Sequence, residues 1–152
     1  MRHQGTNRIV EIAVIMLMIC IPTRSHAAGL GTCGSTAYQR YLVPDGLCVL
    51  PNGDIRPFVC NMPQGRYVSF TSACSEHDGC YSSRGANKST CDARFYKGMT
   101  TACRDALPNT FPEAGRKACY QTAIHYNDVV RSQACPAFRR AQSVLGVSNP
   151  RC

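Results

Sequence analysis

The sequence predicts a mainly α fold: a small disulfide-rich domain with two core helices, a third helix and a loop-rich N-terminal region. Three observations predict it. Ten cysteines follow a leader-like segment, apolar residues recur at three- and four-residue steps between residues 71 and 133, and glycines and prolines crowd the stretch before them.

The 152 residues have room for one domain. Residues 1–27 read as a secretory signal peptide. Arg2 and Arg8 precede an apolar run from Ile9 to Ile21 broken only by Glu11, and Ser25-His26-Ala27 sets small residues before a cut after Ala27. A retained anchor is the alternative, but the run is about 13 residues long, against the roughly 20 a membrane-spanning helix needs. Cleavage removes Cys20 and leaves ten of the eleven cysteines in a chain bound for an oxidising compartment, extracellular or periplasmic. Five disulfides are then expected in a domain over residues 28–152, each contributing about 2–4 kcal/mol where the core is modest. Zinc ligation is disfavoured, since the processed chain keeps only His77 and His125 and has no paired Cys-x-x-Cys motifs.

The leader takes three arginines and Glu11 with it, so the net charge falls from +8 to +6. A basic surface suits an anionic partner, a lipid headgroup layer or nucleic acid. The charges are dispersed, with Arg116-Lys117 and Arg139-Arg140 the adjacent pairs, and do not form a cluster interleaved with aromatics. Nucleic acid is therefore set aside.

From Ala28 to Tyr67 the chain reads as loops pinned by Cys33, Cys48 and Cys60. A helix is expected to open at Thr71 or Ser72, either of them an acceptable N-cap, with Glu76 placed to reach back. It runs to Ser83, and Gly85 suits its stop. Cys91, Phe95, Met99, Ala102 and Ala106 mark a second helix from Thr90 to Leu107, ended by Pro108. A third runs from Pro112 or Glu113 to Gln133. Phe95, Met99, Ile124 and Val129 are expected in the core, and His125 with Asp128 on a helix surface. Beyond Cys135 the pattern is short and loose, and the chain shows no internal repeat.

The chemistry concentrates in Cys74-Ser75-Glu76-His77-Asp78-Gly79-Cys80-Tyr81. On a helix, Cys74, Cys80 and Tyr81 flank His77, and crosslinks at both ends would leave the imidazole few orientations, as a general base requires. Asp78 points about 100° round the helix from His77, where it can hold a cation without quenching the base. A second cluster, Cys91-Asp92, opens the next helix with Phe95, Tyr96 and Met99 following. A bond between Cys80 and Cys91 would bring Asp92 to one imidazole nitrogen, fixing the tautomer and leaving the other nitrogen for water.

Cys-x-x-His-Asp-x-Cys-Tyr followed by Cys-Asp on a later helix resembles the active-site helix pair of secreted phospholipases A2, over Phe70 to Cys103 and nearest to the short microbial type. The resemblance implies two antiparallel core helices linked by a Cys80–Cys91 disulfide, with Cys74 bonded to a calcium-loop cysteine, best matched by Cys60. It implies His77 as the base, Asp92 as the carboxylate that orients it, Tyr81 as that carboxylate's partner and Asp78 as the carboxylate ligand of calcium. By offset, the carbonyls of Val59, Asn61 and Pro63 are the remaining calcium ligands, in a stretch with a single glycine where the best-known form of the loop has several. Many animal members carry a further crosslink whose two positions are Ala73 and Gly98 here, absent together. The implied activity is calcium-dependent hydrolysis of the sn-2 ester of glycerophospholipids without a covalent enzyme intermediate, by a monomer at an anionic phospholipid membrane surface. No Gly-x-Ser-x-Gly elbow competes with it. The alternative is a membrane- or receptor-binding protein or toxin on the same fold with little turnover. The pairing of Cys33, Cys48, Cys103, Cys119, Cys135 and Cys152 stays open at this point.

Overall fold

Residues 33, 43–57, 60 and 63–152 are described in the computed structural model of the chain. The expected leader and two of the expected calcium-ligand positions, Val59 and Asn61, lie outside the described residues.

The stretch expected to be all loop contains a small antiparallel sheet of β1 (Gly46–Val49), β2 (Ile55–Pro57) and β3 (Arg66–Ser69), in the order β2-β1-β3. Cys48 sits opposite Arg56 on one side and Tyr67 on the other. All four residues of β1 are buried, so the strand has none of the two-residue alternation that marks a half-exposed one, and its flanking glycines and prolines disguise it further. Its hairpin turn uses those same residues. Gly53 takes the left-handed φ of 93° after Pro51-Asn52, and the Asp54 N–H donates to Asn52 Oδ1.

Four helices follow among the described residues, and the fold is mainly α as the sequence pattern predicts. Helix α1 spans Thr71–Tyr81, α2 Lys88–Ala106, α3 Glu113–Gln133 and α4 Cys135–Val144. The start of α1 differs from the capping box expected at Thr71 or Ser72. Phe70 is the capping residue, fully buried and with its N–H bonded to the Asp45 carbonyl, while Ser69 Oγ accepts from the Thr71 N–H and Glu76 bonds the Ser72 hydroxyl. Burial of the Phe70 ring thus sets where the strand ends and the helix begins. Helix α2 starts two residues earlier than expected because Asn87 caps it, its Oδ1 accepting from the Thr90 N–H. Helix α4 carries no clear apolar period because one of its two buried positions is polar, Gln142 beside Phe138.

Five disulfides join the ten described cysteines: Cys33–Cys74, Cys48–Cys60, Cys80–Cys91, Cys103–Cys119 and Cys135–Cys152. The Cys80–Cys91 link is the one the resemblance implies. The Cys60–Cys74 link is not formed. The chain leaving β2 passes beside the middle of β1, which gives Cys60 to Cys48, and Gly65 runs so close to both sulfurs that a side chain there would collide with them. Cys74, on the core side of α1, is bonded instead to the buried Cys33.

The links fix the helix directions. The end of α1 is tied to the start of α2, while Ala73 near the start of α1 packs on Gly98 in the middle of α2, so the pair is antiparallel. The end of α2 is tied to the start of α3, and Lys88 at the start of α2 reaches the carbonyls of Val130 and Arg131 near the end of α3. Leu47, Val49, Val68 and Phe70 from the sheet pack against Phe95 and Met99 of α2 and Cys119, Ala123 and Tyr126 of α3. Ile124 is not part of that core; it is 46% exposed, one turn from Tyr120 on the outer face of α3.

The close approach of α1 and α2 has a measurable consequence. A Cβ at position 98 would stand 2.9 Å from the Ala73 Cβ. Gly98→Val is expected to lower stability by about 1–3 kcal/mol in urea denaturation, with part of the loss recovered in Ala73→Gly/Gly98→Val. Unchanged stability would contradict the contact.

Candidate active site

His77 sits in the second turn of α1, with its side chain on the face turned to α2, and is 7% exposed. Its ring lies against Tyr81 on its own helix, 4.1 Å between centroids, and against Phe95 of α2 at 4.8 Å. These two rings limit its rotamers. Its Nε2 is 3.0 Å from Asp92 Oδ1, and the same oxygen accepts the Tyr81 hydroxyl at 2.7 Å. Asp92 lies one residue after the cysteine that staples α2 to α1, so the Cys80–Cys91 bond holds the two halves of the pair in register.

Asp92 is 3% exposed. Burial pushes its carboxyl up, the largest single influence, but hydrogen bonds from His77, Lys88 and Tyr81 and the charge of Lys88 together outweigh it and hold the group below the usual carboxylate range. An ionised Asp92 accepts, so His77 Nε2 donates and Nδ1 is left as the basic nitrogen. The Tyr81 hydroxyl is pushed well above its ordinary range, first by burial and then by its bond to Asp92. It stays a donor throughout the physiological range.

Asp78 occupies a different setting. Its side chain is 55% exposed and its Oδ1 lies 4.0 Å from His77 Nδ1, on the side of the ring away from Asp92. The structure therefore brings His77, Asp92, Tyr81 and Asp78 together. It does not bring Pro63 into the group by a disulfide: Pro63 is exposed in the turn before β3, and its neighbour Cys60 is tied to β1, not to α1. The offset that selected Val59, Asn61 and Pro63 assumed a Cys60–Cys74 bond. The cysteine fixed to the active-site helix is Cys33, which Gly31 and Gly34 flank in the sequence.

Two site residues were missed in the sequence. Lys88 is 4% exposed and places Nζ 2.7 Å from Asp92 Oδ2. Its spacing, four residues before Asp92 on one helix face, is a signal that could have found it. Gln142 of α4 is fully buried. Its Nε2 donates to the carbonyls of Tyr81 and Ser83 at 2.8 Å each, and its Oε1 accepts the Gly85 N–H at 2.8 Å. It clasps the end of α1 just beyond Tyr81, while Phe138 packs edge-on against the Tyr81 ring. No local pattern announces a glutamine as the centre of a helix contact.

Fold and site together define a small disulfide-stapled helical domain carrying a buried His–Asp pair beside an exposed aspartate. Over 74 residues the chain is 30% identical to the group XIIA secretory phospholipase A2 of Mus musculus, a match covering 49% of this chain and 38% of that protein. It thus spans well under half the length of that relative, and the likeness to a secretory phospholipase A2 is a distant one. No family model matches the chain, and no solved structure does. Five disulfides and likeness to a secretory protein are consistent with an oxidising, extracytoplasmic setting.

The depressed Asp92 carboxyl gives a sign for the acid limb of stability. A folded-state pKa below the unfolded one contributes stability that is complete above the unfolded carboxylate range and is lost as pH falls through the folded value. Thermal midpoints measured downward from pH 5 should fall more steeply for the unmodified protein than for Asp92→Asn. Parallel slopes would show that Asp92 is not held in its charged form.

Proposed function

We propose that this protein is a secreted phospholipase A2: a calcium-dependent esterase that hydrolyses the sn-2 ester of glycerophospholipids to a lysophospholipid and a free fatty acid. The observation that carries this reading is the buried hydrogen bond from His77 Nε2 to an ionised Asp92, with Nδ1 directed to the side where Asp78 lies.

In this reading Asp92, steadied by Tyr81, holds His77 in the tautomer with the proton on Nε2. Nδ1 takes a proton from water as the water oxygen bonds to the ester carbonyl carbon. The tetrahedral adduct then expels the lysophospholipid oxygen, and the imidazolium returns the proton to it. His77 ends as it began. No serine or cysteine need be acylated, in keeping with ten cysteines that are all paired.

The Asp78 carboxylate is exposed beside His77 and is the kind of oxygen ligand a hard cation takes. Calcium, when bound there, supplies the positive charge that polarises the ester carbonyl and stabilises the oxyanion. By the resemblance, the carbonyls of Val59, Asn61 and Pro63 would complete the ligand set, in a stretch whose cysteine is bonded to Cys48 and not to Cys74. The basic excess, +6 without the leader, suits an anionic phospholipid surface on which the protein acts as a monomer.

Fatty acid release from phosphatidylglycerol vesicles tests the reading. Release should require calcium and drop by roughly a thousandfold or more in His77→Gln, the order contributed by a positioned base. Asp78→Asn should raise the calcium concentration needed. Turnover undiminished in chelator would remove calcium from the scheme. Vesicle binding without any lysolipid would favour the binding-protein alternative.

A further inference from the structure

Asp92 has two carboxylate oxygens, and the proposed chemistry uses only one of them. Oδ1 takes both His77 Nε2 and the Tyr81 hydroxyl. Oδ2 takes Lys88 Nζ at 2.7 Å. An ammonium has three donors, and here each has an acceptor: Asp92 Oδ2, the Val130 carbonyl at 2.9 Å and the Arg131 carbonyl at 3.3 Å. A lysine 4% exposed costs a large desolvation penalty that only such complete pairing offsets. The last carbonyls of a helix are also where a cation is favoured, and Val130 and Arg131 lie in the last turn of α3.

We infer that Lys88 is a positioning residue for the His77–Asp92 pair, anchoring the second oxygen of the carboxylate to the C-terminal turn of α3 so that the first stays aimed at His77 Nε2. Four considerations support it beyond a plain helix-to-helix tie. The carboxylate is the shared acceptor of groups from α1 and α2, so its rotation about the Cβ–Cγ bond would break the His77 and Tyr81 bonds together. Lys88 is the one partner on Oδ2 among the described residues. The tie between α2 and α3 is supplied at the other end by Cys103–Cys119, which does not need Lys88. Finally, the lysine reaches the end of a third helix that touches neither His77 nor Asp92 in any described hydrogen bond, and so carries the position of α3 into the pair.

The inference deepens the phospholipase reading, and its test has an arm that does not depend on turnover. Lys88→Met keeps the length of the side chain and removes the charge; Lys88→Arg restores it. In a Lys88→Met protein with unchanged far-ultraviolet circular dichroism, vesicle hydrolysis should lose roughly ten- to hundredfold in kcat with KM unaltered, the order expected when a catalytic group is displaced by about 1 Å. Lys88→Arg should recover part of the loss. In parallel, nitrogen-15 spectra of the His77 ring, taken where the ring is neutral, should show the proton held on Nε2 in the unmodified protein and divided between the two nitrogens in Lys88→Met. The unmodified protein should also show slowly exchanging Lys88 ammonium protons coupled to the Asp92 carboxylate, which decides the matter even if Lys88→Met does not fold. A folded Lys88→Met protein with unchanged kcat and unchanged tautomer would overturn the inference, as would a rapidly exchanging Lys88 ammonium. An unmodified protein without hydrolysis would count against the phospholipase reading, while the tautomer and exchange measurements would still confirm or overturn the role of Lys88.

Discussion

A carboxylate withdrawn from water must find its charge met inside the protein, and at Asp92 that requirement draws in most of the architecture. The imidazole and phenol come from α1, the ammonium from one turn back on α2, and the ammonium in turn takes up two carbonyls at the end of α3. Removing any one donor leaves part of a buried charge unpaired, which costs more than the contact contributed. The three helices are thereby tied to one side chain. This makes the geometry around His77 a property of the whole helical layer and not of the His-Asp dipeptide alone.

The remaining structure holds that arrangement in register. Two crosslinks sit at alternate ends of the helical layer, Cys80–Cys91 joining α1 to α2 and Cys103–Cys119 joining α2 to α3. Ala73 and Gly98 let the first pair approach so closely that a side chain at position 98 would press on Ala73. Phe138 and Gln142 of α4 close the far end of α1, one by packing on Tyr81 and the other by taking the polar groups left where the helix stops. A domain with a modest core gains its rigidity from these links, and the His77 ring is left few rotamers.

The cysteine pairing separates two stretches that the resemblance had joined. Cys60 belongs to the sheet through Cys48, and Cys33 belongs to α1 through Cys74. Cys33 is thus the cysteine joined to the helix one turn before His77, whereas Pro63 lies in the turn before β3. The single-glycine stretch after Phe58 does not hold the cysteine bonded to Cys74.

Much was settled by the sequence alone. The spacing of Cys74, His77, Asp78, Cys80 and Tyr81 on one helix, and of Cys91 and Asp92 on the next, is local, because helical geometry converts three- and four-residue steps into a common face. The extents of α2 and α3 followed from the same periodicity, to within two residues. Tertiary structure alone decided what local pattern does not encode. The all-buried β1 lost its alternation, a buried Gln142 broke the apolar period of α4, and the choice between Cys33 and Cys60 as partner of Cys74 depended on which loop passes the helix. Lys88 stood between these cases: its step to Asp92 was visible, but only packing against the end of α3 turned a charge expected in solvent into a buried one, since burial of an ammonium requires acceptors that a distant helix supplies.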